Sequence, residues 1–575
     1  MLAKQSFVWK VAGAAGEGIM TTGLLFSKTC ARHGLYIFDY TEYPSLIRGG
    51  HNTYQVHTAT DPVFAQKNTV DLLIALNKEG IELHLKELST DSLLVFDTEH
   101  QKIEPEKYNL KAKLLDLPMI RLAKESGGEE VMANNVALGA SVYLAGLDLT
   151  VLNQIITEVF IDKGPKIINL NQQAAQRGYE FVKSKYQPLF TAIKQETSHL
   201  TMTGNEAIAL GALAGGLQFY AAYPMTPSSS ILHFLAAKAR EAKIVVKHAE
   251  DEISVVNMAI GASFAGARAM VGTSGGGFCY MVEALGLAGI AELPLVIVES
   301  QRAGPALGLP TWTAQGDLKF VINASHGEFP RIVLAPGDAK EAFELARLAL
   351  ILAEKYQIPV ILLSDKYLSE SRFNITLEAT TFANNRFGLT TNPAPDQTGF
   401  FPRYKLADSP VSLRSTPGTT GGTYIANADE HDEYGLSNED SNMRTAQVAK
   451  RQQKLKEALA EIPFQFWQEE PKAVLTFISF GSTKGPIQGA RQTLAGEGIA
   501  TCHLNLSWIW PFPKDQVQKI VTSYPNVLVV EGNNEGQLAS LIAEQTGFMM
   551  ENKLNRYDGS PFYPEEIVDY VKHSI

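Results

Sequence analysis

Three carboxylates stand directly before a run of small residues. They belong to His248-Ala249-Glu250-Asp251-Glu252, and residues 253–270 follow with Ala259 and Gly261 among them. Acidic side chains at a helix N-terminus stabilise the helix dipole, and this role alone is a sufficient reason for one or two of them. A helix with little bulk on one side, however, admits another backbone or a flat ligand. A glutamate against such an apolar wall has a raised pKa and can exchange a proton with a heterocyclic nitrogen near neutral pH.

A proline-rich turn and a glycine run flank this segment. Tyr223-Pro224-Met225-Thr226-Pro227-Ser228-Ser229 follows an apolar strand, and its prolines would hold Thr226 at the carboxyl end of that strand, where α/β sheets bind ligands. Val271–Phe278 reads as a strand that runs into three glycines and a helix. Taken singly, each motif is explained equally well by an ordinary strand–helix turn. A third glycine group, Gly13, Gly16 and Gly18, lacks the full dinucleotide-binding spacing. This favours a structural turn, or a contact with another ligand or a partner, over dinucleotide binding.

The elements that would position these residues alternate as strands and helices. Residues 1–190 show β-rich runs at intervals suited to parallel α/β units, and 203–371 repeat the pattern after a capping box at Thr203 and Glu206. Residues 372–470 are rich in Thr, Asn, Pro and Gly and predict an irregular connection that leads into a basic amphipathic helix over 444–461. Residues 471–575 return to strands spaced by helices. The sequence predicts a multidomain α/β protein.

Composition narrows the class of protein. The net charge of −11 excludes a basic nucleic-acid surface, and only 19% of the 575 residues are charged, which favours extensive contact with other subunits. No stretch predicts a signal peptide or a membrane span, so we expect a cytoplasmic protein with no membrane partner. Cys30, Cys279 and Cys502 lie too far apart for a disulfide framework, an iron–sulfur cluster or a cysteine metal site, and no metal ligands are predicted in this chain.

In combination, the motifs resemble the 2-oxoacid:ferredoxin oxidoreductase family. A glutamate, a small-residue helix and Thr273-Ser274-Gly275-x-Gly277 are similar to the pyrimidine-binding domain of thiamine-diphosphate enzymes, and the turn at 223–229 narrows the likeness to this family. Residues 1–190 resemble its gamma subunit through Glu42-Tyr43-Pro44-x-x-Ile47-Arg48-Gly49-Gly50. The likeness continues through Gln301-Arg302-x-Gly304-Pro305, Gln315-Gly316-Asp317-Leu318, Glu430-His431-Asp432-Glu433, Gly481-Ser482-Thr483-Lys484-Gly485 and Trp510-Pro511-Phe512-Pro513. The implied order is a gamma-type α/β domain, a pyrimidine-binding-type domain and a transketolase C-terminal-like α/β domain.

The resemblance also implies roles for single residues. Glu252 matches the glutamate that contacts N1′ of the aminopyrimidine, Thr226 the threonine that hydrogen-bonds the substrate carboxylate, and Arg302 an arginine near the substrate. A guanidinium suits a carboxylate because it is always charged and can bind in a bidentate manner. The other residues implied in cofactor binding are Pro224, Met225, Ser274, Gly275 and Gly276.

The missing motifs imply partners. The family's Gly-Asp-Gly segment, which holds Mg²⁺ and the diphosphate, has no counterpart here: neither Gly316-Asp317 nor Gly337-Asp338 is followed by glycine. The resemblance therefore implies a beta subunit that brings this segment, Mg²⁺ and a [4Fe–4S] cluster. It also implies coenzyme A as co-substrate, ferredoxin as electron acceptor and, with the low charge content, a dimer of alpha–beta pairs.

The substrate is less sharply indicated. The fused layout favours 2-oxoglutarate, with pyruvate next, but Trp312 stands where the family often has a basic residue that would suit a second carboxylate. Arg48, His326 or a partner residue are the alternatives for that contact. Two rival functions remain open, a non-oxidative thiamine-diphosphate enzyme and a non-catalytic scaffold or nucleotide-binding subunit. Cofactor titration and a visible spectrum of the co-purified complex distinguish all three.

Overall fold

The protein consists of three β-sheets with helices packed against them. The computed structural model describes residues 6–46, 49–101, 108, 110–190, 199–377, 385–463, 465–524 and 526–574. The three sheets have eight, seven and five strands, and parallel pairs outnumber antiparallel ones in the second and third. The predicted α/β class is confirmed. None of the helices in these ranges combines the length and apolar character that a bilayer crossing needs.

The first sheet is built mainly from the N-terminal third of the chain, in the order β6-β5-β4-β1-β3-β2-β14-β7. Its strands are β1 (Ser6–Ala14), β2 (Tyr36–Glu42), β3 (His51–Ala59), β4 (Val70–Ala75), β5 (Leu88–Phe96), β6 (Lys113–Asp116), β7 (Leu200–Thr203) and β14 (Arg372–Ile375). The helices of this region are α1 (Ile19–Arg32), α2 (Lys78–Glu82), α3 (Met119–Glu125), α4 (Ala133–Leu144), α5 (Leu149–Val159) and α6 (Pro165–Lys183).

The prediction of parallel α/β units throughout residues 1–190 is wrong for one strand, β3. β1, β4, β5 and β6 are parallel, but β3 runs antiparallel to both β1 and β2. The physical reason is the connection from β2 to β3, residues 43–50, which holds too few residues for the helical crossover that a parallel pair requires.

The second sheet has the order β18-β12-β13-β11-β10-β8-β9 and is parallel except for β18. Its strands are β8 (Phe219–Ala222), β9 (Val245–His248), β10 (Ala269–Thr273), β11 (Leu295–Gln301), β12 (Ile332–Leu334), β13 (Pro359–Asp365) and β18 (Trp508–Trp510). Its helices are α7 (Gly204–Ala214), α8 (Ser229–Ala242), α9 (Glu252–Phe264), α10 (Gly275–Ile290), α11 (Leu318–Asn323), α12 (Ala339–Tyr356) and α13 (Lys366–Glu370). The predicted capping box of Thr203 and Glu206 opens α7 and is confirmed.

The third sheet, β15-β17-β16-β19-β20, packs against the second through a shared apolar core. Its strands are β15 (Phe466–Gln468), β16 (Leu475–Phe480), β17 (Thr501–Leu506), β19 (Val527–Glu531) and β20 (Asn552–Asn555). The surrounding helices are α15 (Lys484–Gly496), α16 (Lys514–Ser523), α17 (Gln537–Thr546) and α18 (Pro564–Ser574).

Two short strands join the first and second sheets. β7 precedes β8 to β13 of the second sheet in the chain and β14 follows them, yet both complete the first sheet, with β14 between β2 and β7. The join is fixed by the buried Asp39 of β2, which accepts hydrogen bonds from the Arg372 main-chain N–H, the Ser27 hydroxyl and the Tyr54 hydroxyl. The N-terminal region is therefore continuous with the rest of the molecule.

The connection between the second and third sheets is irregular but anchored. Residues 385–440 contain only isolated bridges, such as Leu389 with Arg414. Arg403 and Arg414 are buried, and they donate hydrogen bonds to the main-chain oxygens of Glu292 and Ser263. These long-range contacts hold the connection against the second sheet.

The helix that follows, α14 (Ser441–Leu459), differs from the predicted basic amphipathic helix. Its basic residues Lys450, Arg451 and Lys454 face inward. Lys450 and Lys454 contact the buried Glu292 at 2.7 and 2.5 Å, and Arg451 contacts Glu430 at 2.8 Å. The charged face is the packed face because carboxylates from distant segments pair with it.

Candidate active site

The motif residues meet at the carboxyl edge of the second sheet. β11, β10, β8 and β9 are adjacent and parallel, so the segments that follow them lie side by side. These segments are Arg302 after β11, Ser274 after β10, the turn 223–228 after β8, and 249–251 after β9. This edge is where open α/β sheets place their ligand sites.

Thr226 lies in a tightly held turn. The Thr226-Pro227 peptide is cis, and the buried Asn205 of α7 donates a hydrogen bond to the Pro227 oxygen at 2.7 Å. Tyr223 and Pro224 are exposed, whereas Met225 and Thr226 are half-buried. The turn therefore presents its middle residues to the site at fixed positions.

Arg302 binds this turn. Its Nη1 donates a hydrogen bond to the Thr226 main-chain oxygen at 2.8 Å, which leaves the Thr226 hydroxyl out of the contact. The side chain is 8% exposed, and burial lowers its pKa while the nearby Glu299 opposes that change. Thr226 and Arg302 are thus brought together.

Glu252 is the buried member of the acidic segment. It is the first residue of α9 and only 3% exposed, whereas Glu250 and Asp251 are exposed. Asp251 is the N-cap, and its side chain accepts a hydrogen bond from the Ser254 N–H at 2.8 Å. Oε1 of Glu252 has no hydrogen-bond partner among the described residues, and burial raises the pKa of this carboxyl. Asp251 therefore caps the helix, whereas the buried carboxyl of Glu252 takes no part in capping.

The expected small-residue face of this helix is only partly present. α9 ends at Phe264, so Ala265 and Gly266 lie beyond it. Ala259 faces the core, whereas Gly261 has open space where a side chain would be. The two residues lie on different sides because they are two positions apart on a helix.

The three glycines form the first turn of α10 rather than a loop. A Cβ on Gly277 would lie 2.5 Å from Glu252 Oε1 and 2.1 Å from Thr273 Oγ1, and one on Gly275 would lie 2.5 Å from Asp317 Oδ2. On Gly276 the nearest heavy atom would be 3.6 Å away. Two glycines thus admit carboxyl groups to the helix N-terminus, and the third leaves its outer surface open.

Ser274 and Met225 complete this surface. Ser274 is the N-cap residue of α10; it is fully buried, and its hydroxyl has no hydrogen-bond partner among the described residues. The Met225 sulfur lies 4.0 Å from Thr273 Oγ1, which is itself beside Glu252. The predicted residues Met225, Glu252, Ser274 and the glycines therefore lie together around the first turn of α10.

Two carboxyl groups at this edge were not singled out from the sequence. Glu299 of β11 is fully buried, and burial with Asp317 nearby raises its pKa well above the usual range. Burial raises the pKa of Asp317 to about 6. A glutamate in the otherwise apolar run of β11 was the available signal for the first.

Of the residues suggested for a second substrate carboxylate, the structure brings Trp312 close to Arg302, because the Ala303 N–H donates a hydrogen bond to the Trp312 main-chain oxygen at 3.4 Å. Trp312 is half-buried and packs on Gly559. His326 is exposed in the turn before β12, beside Ser325, which contacts Gly286 in the second half of α10. That position is about 16 Å along the helix from Gly275, at the opposite edge of the sheet. Arg48 lies outside the described residues.

A group of possible metal ligands lies elsewhere, after β5. Ligand atoms of Asp97, Glu99 and His100 are within 4.8 Å of one another. Asp97 already accepts hydrogen bonds from the main-chain N–H groups of Glu99 and Ile120, and Glu99 pairs with Arg121 at 2.9 Å. A local turn and an ion pair explain this group without a metal.

Comparison with known proteins covers nearly the whole chain. Three family models match: "Pyruvate ferredoxin/flavodoxin oxidoreductase" over residues 8–181, "Pyruvate flavodoxin/ferredoxin oxidoreductase, thiamine diP-bdg" over 210–450, and "Pyruvate:ferredoxin oxidoreductase core domain II" over 473–567. The alpha subunit of a 2-oxoacid:ferredoxin oxidoreductase from Saccharolobus solfataricus is 31% identical over 98% of this chain and 97% of its own. A second such subunit, from Aeropyrum pernix, is 32% identical over 98% and 97%.

A solved structure is similar in sequence and fold. It is the 2-oxoglutarate:ferredoxin oxidoreductase from Magnetococcus marinus with 2-oxoglutarate, coenzyme A and succinyl-CoA bound. It is 33% identical, covers 99% of both chains and has a TM-score of 0.91.

Proposed function

This chain belongs to the 2-oxoacid:ferredoxin oxidoreductase family, and on that basis we propose that it supplies the aminopyrimidine half of a thiamine-diphosphate site that acts on 2-oxoglutarate in preference to pyruvate. The net reaction turns a 2-oxoacid, coenzyme A and two oxidised ferredoxins into acyl-CoA, CO₂, a proton and two reduced ferredoxins. The observation that carries the proposal is the buried Glu252 with its unpartnered oxygen beside the open N-terminal turn of α10.

The residues fit an aminopyrimidine ring. A buried glutamate with a raised pKa holds a proton that it can exchange with a ring nitrogen, and the unpartnered Oε1 offers the position for that contact. Gly276 provides a flat surface with no side chain, and Met225 provides an apolar neighbour. When bound, thiamine diphosphate supplies the carbon nucleophile and the electron sink for decarboxylation.

The substrate carboxylate belongs between Thr226 and Arg302. Arg302 is held by the Thr226 main-chain oxygen, so its guanidinium is already oriented before a ligand arrives. Pre-orientation of a charged donor reduces the reorganisation needed for binding. The Thr226 hydroxyl donates the second hydrogen bond, and together the two groups fix the direction of the 2-oxo carbon.

A partner is needed to complete the site. The exposed apolar side chains near it include Tyr223 at 36%, Ile253 at 51%, Tyr280 at 62% and Leu307 at 70% of their full exposure. Apolar side chains that gather at a binding edge favour a protein interface. We assign this surface to a beta subunit that holds the diphosphate, Mg²⁺ and a [4Fe–4S] cluster and passes electrons to ferredoxin.

The choice of 2-oxoglutarate rests on the similarity to the Magnetococcus marinus enzyme, which has 2-oxoglutarate bound. Trp312 offers no charge to a second carboxylate, and His326 lies at the far edge of the sheet. The contact to the distal carboxylate is therefore assigned to Arg48, which lies outside the described residues, or to the beta subunit.

The test uses the chain co-expressed with its beta subunit. Initial rates of ferredoxin reduction with coenzyme A and either 2-oxoglutarate or pyruvate should give a higher kcat/KM for 2-oxoglutarate. Pyruvate as the better substrate would overturn the substrate proposal alone. Product formation without any reduction of ferredoxin, from a complex with no visible iron–sulfur absorbance, would instead support the non-oxidative alternative.

A further inference from the structure

Glu299 is an unusual buried acid beneath the candidate site. It lies near the carboxyl end of β11, between Thr273 of β10 and Leu363 of β13 in the middle of the sheet. Its side chain is fully buried, and neither carboxyl oxygen has a hydrogen-bond partner among the described residues. In such surroundings the ionised carboxylate is strongly disfavoured, and the protonated, neutral carboxylic acid is the stable form.

The charged groups around Glu299 do not compensate for an ionised form. Asp317 and Asp365 are carboxyls, and Cys279 of α10 is a thiol whose own pKa burial raises. Arg302 is a cation that acts on Glu299, but its guanidinium donates a hydrogen bond to the Thr226 main-chain oxygen. On the neighbouring strand, Thr273 is paired with Glu299 and contributes no charge.

Neighbouring carboxyls cannot all ionise in a buried region, so at least one retains a proton. Asp365 is the least suited to do so, because it accepts a hydrogen bond from the Leu368 N–H. Asp317 is half-buried at the site surface, over Gly275. The fully enclosed Glu299, with no donor to either oxygen, is the best candidate for the neutral acid.

We propose that Glu299 is a positioning residue that is kept as a neutral carboxylic acid, so that Arg302 retains its whole charge for the carboxylate of the 2-oxoacid. This inference rests on the proposed function, since it assumes that Arg302 binds the substrate. An ionised Glu299 would attract Arg302 and repel the incoming anion, and both effects weaken substrate binding. Glu299 thereby sets the upper limit of the pH range over which the enzyme binds its substrate.

The sign of the pH effect follows directly. Below its pKa Glu299 is neutral and the KM for the 2-oxoacid is low; above that pKa the carboxylate forms and KM rises, by at most about tenfold per pH unit. Because the group acts on binding, kcat at saturating substrate stays nearly constant across the same range. The Glu299→Gln variant is neutral at every pH, so its KM lacks this rise.

The experiment compares the assembled complex of wild type, Glu299→Gln and Glu531→Gln. Glu531 is a matched control, because it is also fully buried but accepts hydrogen bonds from the Leu538 and Ala539 N–H groups. The infrared spectrum of the wild type, without substrate, should contain a protonated-carboxyl band that Glu299→Gln removes and Glu531→Gln retains. If Glu299→Gln does not assemble, Glu299→Met, also neutral and similar in size, replaces it.

The ratio of wild-type to variant KM decides the functional part. It should be within about twofold of one at neutral pH and rise above one on the alkaline side. The inference is overturned by any of three results. These are an infrared band that Glu299→Gln leaves unchanged, a KM ratio far from one at neutral pH, and a KM ratio that stays at one up to the pH of unfolding. A complex that lacks 2-oxoacid-dependent ferredoxin reduction would instead contradict the proposed function, and the infrared band distinguishes the two failures.

Discussion

Substitution of glutamine for Glu252 separates the catalytic and structural roles of the acidic segment before α9. The three carboxylates are two or fewer positions apart, yet their surroundings differ. Glu250 is exposed, Asp251 caps the helix through the Ser254 N–H, and Glu252 is buried with an unpartnered oxygen. A helix-dipole role alone would make the three substitutions similar, at about 0.3–1 kcal/mol of stability each.

Glu252→Gln should slow hydrogen–deuterium exchange at C2 of the bound cofactor by about 10²-fold or more, because an amide cannot exchange a proton with the ring nitrogen. That factor corresponds to about 2.7 kcal/mol of activation free energy. The same substitution should slow exchange but increase the stability of the folded protein at neutral pH. Since burial raises the pKa of Glu252, the wild type loses stability as the pH rises through that pKa, and the neutral amide avoids this loss.

The assay is C2 exchange in the assembled complex, followed by NMR, together with thermal unfolding from acid to neutral pH. The matched controls are Glu250→Gln and Asp251→Asn, which should exchange within about twofold of wild type, because asparagine caps a helix as well as aspartate does. Loss of exchange in Glu250→Gln with normal exchange in Glu252→Gln would move the catalytic position by two residues. Normal exchange in all three variants would mean that α9 does not face the cofactor.

Five further outcomes are expected. Thr226→Ala should raise KM for the 2-oxoacid by the loss of a neutral hydrogen bond, about 0.5–1.5 kcal/mol, with cofactor affinity unchanged by titration. Arg302→Ala should cost more, about 2–4 kcal/mol in kcat/KM, and a change below about threefold would place the arginine outside the site. Gly277→Ala should displace Glu252 and abolish C2 exchange, because the added methyl group would lie 2.5 Å from Glu252 Oε1. Gly276→Ala should retain exchange, because its methyl group would have no heavy atom nearer than 3.6 Å. Equal exchange in the two variants would refute this packing. The purified single chain should not reduce a viologen dye with any 2-oxoacid, and native mass measurement of the active complex should give two alpha–beta pairs rather than one.

The sequence was sufficient for those parts of the site that depend on local order. The turn at 223–229, the glutamate at a helix start and the glycines after a strand each follow directly from neighbouring residue types. Parallel strands then bring the three motifs to one edge without further information. Glu299 was not recognised, because one acid in an apolar strand gives no indication of which groups surround it.

The errors concern contacts between distant segments. The prediction of a basic amphipathic helix over 444–461 could not show that Lys450 and Lys454 face inward, because their partner, Glu292, is more than 150 positions earlier in the chain. The antiparallel β3 could have been predicted from the short 43–50 connection. His326 is close in sequence to the motif at 311–318, but α11 carries the chain across the sheet to the opposite edge.

The eight-stranded sheet has a consequence for how the enzyme assembles. The β2–β14 pairing joins residues that are more than 300 positions apart, and it is the seam between the gamma-type region and everything that follows. In a two-polypeptide arrangement, this seam would be an exposed edge that must find its partner by collision. Fusion makes the encounter intramolecular, at an effective concentration in the millimolar range for a short flexible tether. The single chain thereby fixes the stoichiometry of the two regions at one to one and protects an edge strand that would otherwise be open to aggregation.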